Sequence, residues 1–193
     1  IGAIVAESAK ADDSPQKGGH LRVAMSESTS SETLDPAKAK TSTDAFRSFQ
    51  IYNRLVRVRS DLVAEGDLAE AYEPNATADE WTFTLRKGVE WHDGKPLRAA
   101  DVMYTVKRIL DPATASPFRQ TLDQVDLASS RADGDLVVRL KLKAPNADLP
   151  ILFNDFHAQI VREGTTQFDH VIGTGPFRLK QFDPGVRSVT ERN

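Results

Sequence analysis

The 193-residue chain contains no cysteine, so disulfides, thiolate metal sites, cysteine nucleophiles and a lipid-modified cysteine are excluded for these residues. It carries little net charge. Its 25 Lys and Arg against 28 Asp and Glu leave −3, too small an imbalance to steer toward a nucleic acid or another polyanion. No apolar run approaches the roughly 20 residues that span a bilayer. The 4 histidines, His20, His92, His157 and His170, include no pair at the i, i+4 spacing that puts two ligands on one metal, so no metal site is expected. No G-x-S-x-G elbow is present, and no serine has a local partner pattern for a nucleophile. Internal repeats, heptads and low-complexity segments are also lacking.

What is present is the composition of an ordinary globular protein, 39% hydrophobic and 27% charged, on a chain long enough to bury a core. The opening residues IGAIVAESAKADD run apolar over 1–6 and then offer Ala9-Lys10-Ala11 ahead of Asp12, which fits an A-x-A cleavage site. Residues 1–11 are therefore expected to be the tail of an export signal and 12–19 a flexible leader. Folded structure is expected to start near His20, with a first strand at 21–25.

The most legible stretch is WTFTLRKGVEWHDGKPL at 81–97. Trp81, Phe83 and Leu85 alternate with Thr82, Thr84 and Arg86, the period of a strand with one buried face. Lys87-Gly88 breaks the run, Val89 and Trp91 resume it, and Asp93-Gly94 suits a tight turn, so a hairpin followed by a helix entry is expected. At strand period these aromatics read as local core rather than as a stacking platform. Val102, Val106, Ile109 and Leu110 fall on one helical face, predicting a helix over 99–110 that stops at Asp111-Pro112. A second helix is expected at 45–57, from the spacing of Ala45, Phe49, Tyr52 and Val56 behind the cap residues Ser42, Thr43 and Asp44. Residues 62–74 read as irregular, with a helical turn near Leu68.

Alternation of Val138, Leu140 and Leu142 predicts a hairpin from 124–129 and 136–143 around Asp133-Gly134. Asp133, Gly134 and Asp135 lack the ligand series of a calcium loop, and the turn reading is preferred. A short helix or turn suits 148–156. Gly173-Thr174-Gly175-Pro176 lacks the Gly-Lys-Ser/Thr ending of a phosphate loop and leads into a strand, so it reads as a backbone hinge. Strands at 177–182 and after Asp183-Pro184-Gly185 follow. His92-Asp93 is no general base on this reading, because Asp93 is committed to a turn. The hydroxyl-rich run 26–31 is a candidate ligand loop, since backbone N–H groups and several hydroxyls can converge there.

Three of these segments resemble one family. LAEAYEPNATADEWTFTLRKGVEWHDGKPLRAADVMYTVKRILDP, HVIGTGPFRLKQFDPGVRSVTERN and the YNRLV run at 52–56 are similar to the signatures of extracytoplasmic solute-binding proteins of ABC importers, family 5, the dipeptide, oligopeptide and nickel type. The resemblance runs from about Gly18 to Asn193. It implies an α+β / α/β chain forming part of the first lobe of a two-lobed periplasmic-binding-protein fold (type II, cluster C), with a small β-rich α+β subdomain. Residues 20–45 would start lobe I, 46–170 would form the small subdomain, and 171–193 would return into lobe I, lobe II being absent.

It further implies a periplasmic, exported receptor with no cofactor and no enzymatic activity, soluble near the membrane. Such a receptor captures a peptide or similar small solute in a hinged cleft and delivers it to permease subunits. Ligand contacts are expected from Glu27, Ser28, Thr29 and Ser30, with Thr174 and Gly175 at the cleft rim. A nickel chelate, glutathione, an opine or a sugar are alternatives within the family. A secreted hydrolase with an unrecognised site is the alternative outside it. One departure from the family pattern is Arg98, where a Thr or Ser cap is usual, at a cost of about 1 kcal/mol to the helix at 99–110.

Overall fold

The computed structural model describes residues 18–193, so the expected signal remnant and most of the leader lie outside the described residues. The elements in chain order are α1 (Ser42–Ile51), β1 (Val56–Val58), β2 (Ala64–Gly66), β3 (Ala69–Pro74), β4 (Glu80–Leu85), α2 (Ala99–Leu110), α3 (Arg119–Leu122), β5 (Val125–Asp133), β6 (Val137–Leu142), α4 (Leu149–Leu152), β7 (Phe177–Asp183) and β8 (Arg187–Arg192). Four strands make an antiparallel sheet in the order β3-β4-β6-β5, while β1-β2 and β7-β8 are two-stranded ribbons.

β4 runs through the middle of that sheet because both its edges are paired and its alternate residues are apolar. Trp81 sits opposite Pro74 on β3 and Leu140 on β6, and Phe83 opposite Tyr72 and Val138. The buried face of β4 meets α2, whose Val102, Val106 and Ile109 are fully buried in the same core. Phe83 also meets Phe153 edge-on at 5.5 Å. Each such buried side chain stabilises by about 1.5–3 kcal/mol, so this two-layer contact is the main source of cohesion. The expected bounds of α2 and the pairing of β5 with β6 match the structure.

Four expectations are corrected. Residues 89–97 do not fold back on β4; they close their own loop, with Leu97 N–H donating to the Val89 carbonyl and Trp91 N–H to the Lys95 carbonyl. β4 instead pairs with β3, just before it in the chain, and with β6, which is too distant in sequence to show locally. Residues 62–74 hold β2 and β3, hidden because a bulge between Ala69 and Ala71 breaks the period of two.

α1 ends at Ile51, not 57, and Tyr52 is already extended. Its buried face is Thr43, Asp44, Arg47, Ser48 and Ile51, leaving Phe46 and Phe49 41% and 42% exposed. The apolar stripe misled because the helix rests on a polar network. Residues 21–25 form no strand; Leu21 is 88% exposed, and no strand of the described residues supplies the hydrogen bonds a strand needs.

A second, smaller cluster joins Leu34, Ile51, Tyr52, Val161 and Val171, with Leu179 and Phe182 of β7 packed against it. It ties α1 to the β7-β8 ribbon. Among the described residues no helix is long and apolar enough to cross a membrane.

Candidate functional site

Residues 26–31 are exposed and lie at the N-terminus of α1. Thr41 caps that helix in a reciprocal box with Asp44: Asp44 N–H donates to Thr41 Oγ1 at 3.1 Å, and Thr41 N–H to Asp44 Oδ2 at 3.3 Å. Glu27 adds a second acceptor at the same end. Its Oε2 accepts from Ser42 N–H at 2.9 Å and Ser42 Oγ–H at 2.8 Å, while Thr43 Oγ1 donates to the Glu27 carbonyl at 2.5 Å. The Ser42 hydrogen bonds, backbone first, hold the Glu27 carboxyl below its ordinary range. Thr29 Oγ1 and Ser31 Oγ are 2.9 Å apart. Ser28 and Ser30 lie exposed beside them.

Beneath this loop is a buried charge network. Arg47 Nη2 lies 2.5 Å from Glu32 Oε2, and Nη1 3.1 Å from Asp44 Oδ1. Its Nε donates to Ser188 Oγ on β8 at 2.7 Å, and its guanidinium sits 4.9 Å above the Phe182 ring. Burial alone would raise the Asp44 carboxyl; N–H donors of Thr33, Lys40 and Thr41 and the Thr41 hydroxyl outweigh it and hold the group low. Gly185 N–H, in the β7-β8 turn, donates to Glu32 Oε2 at 3.1 Å. The loop, α1 and the ribbon are thus locked together. Sequence reasoning missed Glu32 and Arg47, and the i, i+3 spacing of Asp44 and Arg47 was the only local signal for either.

Residues 173–176 meet the other end of α1. A Cβ on Gly173 would lie 1.8 Å from the Ile51 carbonyl oxygen, and one on Gly175 2.5 Å from the Ile51 carbonyl carbon. Only glycine permits this approach. Gly175 N–H donates to the Ile51 carbonyl at 2.8 Å, and Thr174 Oγ1 to Asn53 Oδ1 at 2.9 Å. His92 completes the grip through its backbone N–H on the Gly173 carbonyl and both ring nitrogens on Gly173 and Gly175.

The candidate residues therefore fall into two groups, Glu27 to Ser30 at one end of α1 and Thr174 with Gly175 at the other. A ten-residue helix separates them by about 15 Å. Both Gly175 polar atoms are committed inside the protein, whereas the Thr174 oxygen keeps accepting capacity. A shallow groove beside β1 is lined by Arg54, Arg57, Arg59 and Glu65, but Arg57 and Arg59 pair with Glu65 and Asp61, and Arg54 with Asp67. No cluster of three or more His, Asp or Glu that could hold a metal occurs among the described residues. His157 forms a 2.6 Å contact with Asp155, yet its Nε2 faces the Ala39 carbonyl at 2.9 Å where a triad would need a serine hydroxyl.

The model of the bacterial extracellular solute-binding proteins, family 5 Middle, matches residues 64–193. Protein XP55 of Streptomyces lividans is 38% identical over 72% of this chain and 26% of its own length. The probable D,D-dipeptide-binding periplasmic protein DdpA of Escherichia coli is 28% identical over 84% of this chain and 34% of its own. Haemophilus influenzae OppA, solved in complex with RPPGFSPFR, superposes with a TM-score of 0.75 at 23% identity, covering 83% of this chain and 36% of that one. The chain thus spans about a quarter to a third of the length of these relatives, with the α+β fold of part of a lobe in a two-lobed protein. With its 64–193 segment matched throughout, this chain belongs to the bacterial extracellular solute-binding proteins, family 5.

Proposed function

We propose that this chain works in the solute-binding component of an ABC importer, capturing peptides or a similar small solute in the periplasm and delivering it to permease subunits. The observation that carries this reading is the family match over residues 64–193, and relatives named for dipeptide and oligopeptide binding support it. Binding without chemical change is the proposed activity. In this reading 20–45 and 171–193 belong to lobe I and 46–170 to its small subdomain.

Within the candidate site, the exposed hydroxyls of Ser28, Thr29 and Ser30 would meet solute. Glu27 would position their loop on α1, and Thr174 and Gly175 would shape the rim at the far end. Calorimetric titration of the full-length protein with dipeptides and longer peptides tests this. Micromolar or tighter binding is expected, weakened about tenfold in the double variant Ser28→Ala/Ser30→Ala, the size of one or two hydrogen bonds. Failure to bind peptides or any other small solute would count against the reading. Turnover of ester or peptide substrates would favour a hydrolase instead.

A further inference from the structure

The Gly173 to Gly175 crossing is held by a ring whose two nitrogens play opposite parts. Gly173 N–H donates to His92 Nδ1 at 3.2 Å, so Nδ1 must carry a lone pair. The Gly175 carbonyl lies 2.9 Å from Nε2, so Nε2 must carry the proton. That pattern fits one species only, the neutral imidazole with its hydrogen on Nε2. A second proton on Nδ1 would set N–H against N–H and break the Gly173 bond. We propose that His92 is a proton-operated clasp on this crossing, closed when the ring is neutral and released at Gly173 when it is protonated.

The surroundings favour the closed form. Partial burial, the largest influence, and the Arg178 guanidinium on β7 oppose a charged ring. The Gly175 carbonyl and Asp93 pull the other way, though Asp93 is itself paired with Arg162 at 2.5 Å and approached by Lys95 at 3.9 Å. The net effect holds His92 below its ordinary value of 6.5. The unfolded chain then binds more protons than the folded one, so stability falls as pH drops from 6.5 toward the folded-state value and is fully present above 6.5. Release would free the Gly173 N–H from the ring while leaving the His92 N–H to Gly173 carbonyl bond and the Ile51 to Gly175 bond in place.

The test is nuclear magnetic resonance of the full chain across pH 4 to 8, a range chosen around the histidine reference of roughly 6.5. His92 ring nitrogens are assigned by their disappearance in His92→Asn. The expected result is the Nε2–H tautomer at high pH, with a Gly173 amide shift that follows the ring titration and a Gly173 protection from exchange, taken relative to the intrinsic rate at each pH, that is about fivefold to tenfold lower once it is complete. In His92→Asn, whose side chain does not titrate, the Gly173 step should vanish. An Nδ1–H tautomer in the unaltered protein would overturn the proposal even if the variant failed to fold. So would a Gly173 amide indifferent to pH, or a step that survives in His92→Asn.

Discussion

At the scale of single residues, the decisive contacts are made by side chains with the least to offer. Gly173 and Gly175 lie against the last carbonyl of α1 at distances no Cβ tolerates, whereas Gly88, at φ +74, has open space around it. Gly173→Ala is therefore expected to cost about 3 kcal/mol, because backbone must move to make room. Gly88→Ala should cost about 1 kcal/mol, the strain of a left-handed alanine alone. Urea denaturation of the two variants measures the difference. The sequence marks 173–176 as special through its glycines, but not why. The partner, Ile51, is more than a hundred positions away, and a hinge and a tight packing contact have the same spelling.

At the scale of elements, legibility followed the source of burial. α2 was readable to the residue because one apolar face, Val102 to Ile109, packs on one sheet. α1 was not, since its buried face carries Asp44 and Arg47 and its exposed face two phenylalanines. The expected weakness at Arg98 is partly offset. Asp101 Oδ2 accepts from Arg98 N–H at 2.8 Å, and Ala99 N–H reaches the Asp135 carbonyl at 2.7 Å. What remains missing is a side-chain acceptor from the cap position itself. Arg98→Ser should supply it and raise thermal stability by about 0.5–1 kcal/mol, read from the melting midpoint.

At the scale of the whole molecule, the chain passes between two cores at Tyr52 to Leu55, just after α1, and again at Ile160 to Val161. The larger surrounds the four-stranded sheet; the smaller draws Leu34, Ile51, Val161 and Val171 from segments scattered along the chain, which no local periodicity reports. The buried Arg47 holds the β7-β8 ribbon to this smaller core through Ser188 and Phe182. Removing it leaves Glu32 and Asp44 buried without their cation, a loss of about 3 kcal/mol. Arg47→Ala should accordingly speed hydrogen exchange in β7 and β8 while leaving β4 and β6 protected, as mass spectrometry of exchanged peptides would show. Uniform exchange across all strands would mean the molecule unfolds as one unit. The candidate loop at 26–31 was visible in sequence as a run of hydroxyls, but its attachment through Glu27 to Ser42 and Thr43 was not.

The grip of His92 on Gly173 and Gly175 also has a practical side for protein engineering. Two stretches 81 positions apart in the chain share a donor, an acceptor and a backbone fit, so neither is a free-standing cassette. A chimera that imports residues 89–97 from another protein without the matching 173–176, or the reverse, would join two surfaces with an unmatched polar group at their centre. Exchanged together, they keep their own contacts and still need the Ile51 carbonyl and Asn53 to seat residues 173–175.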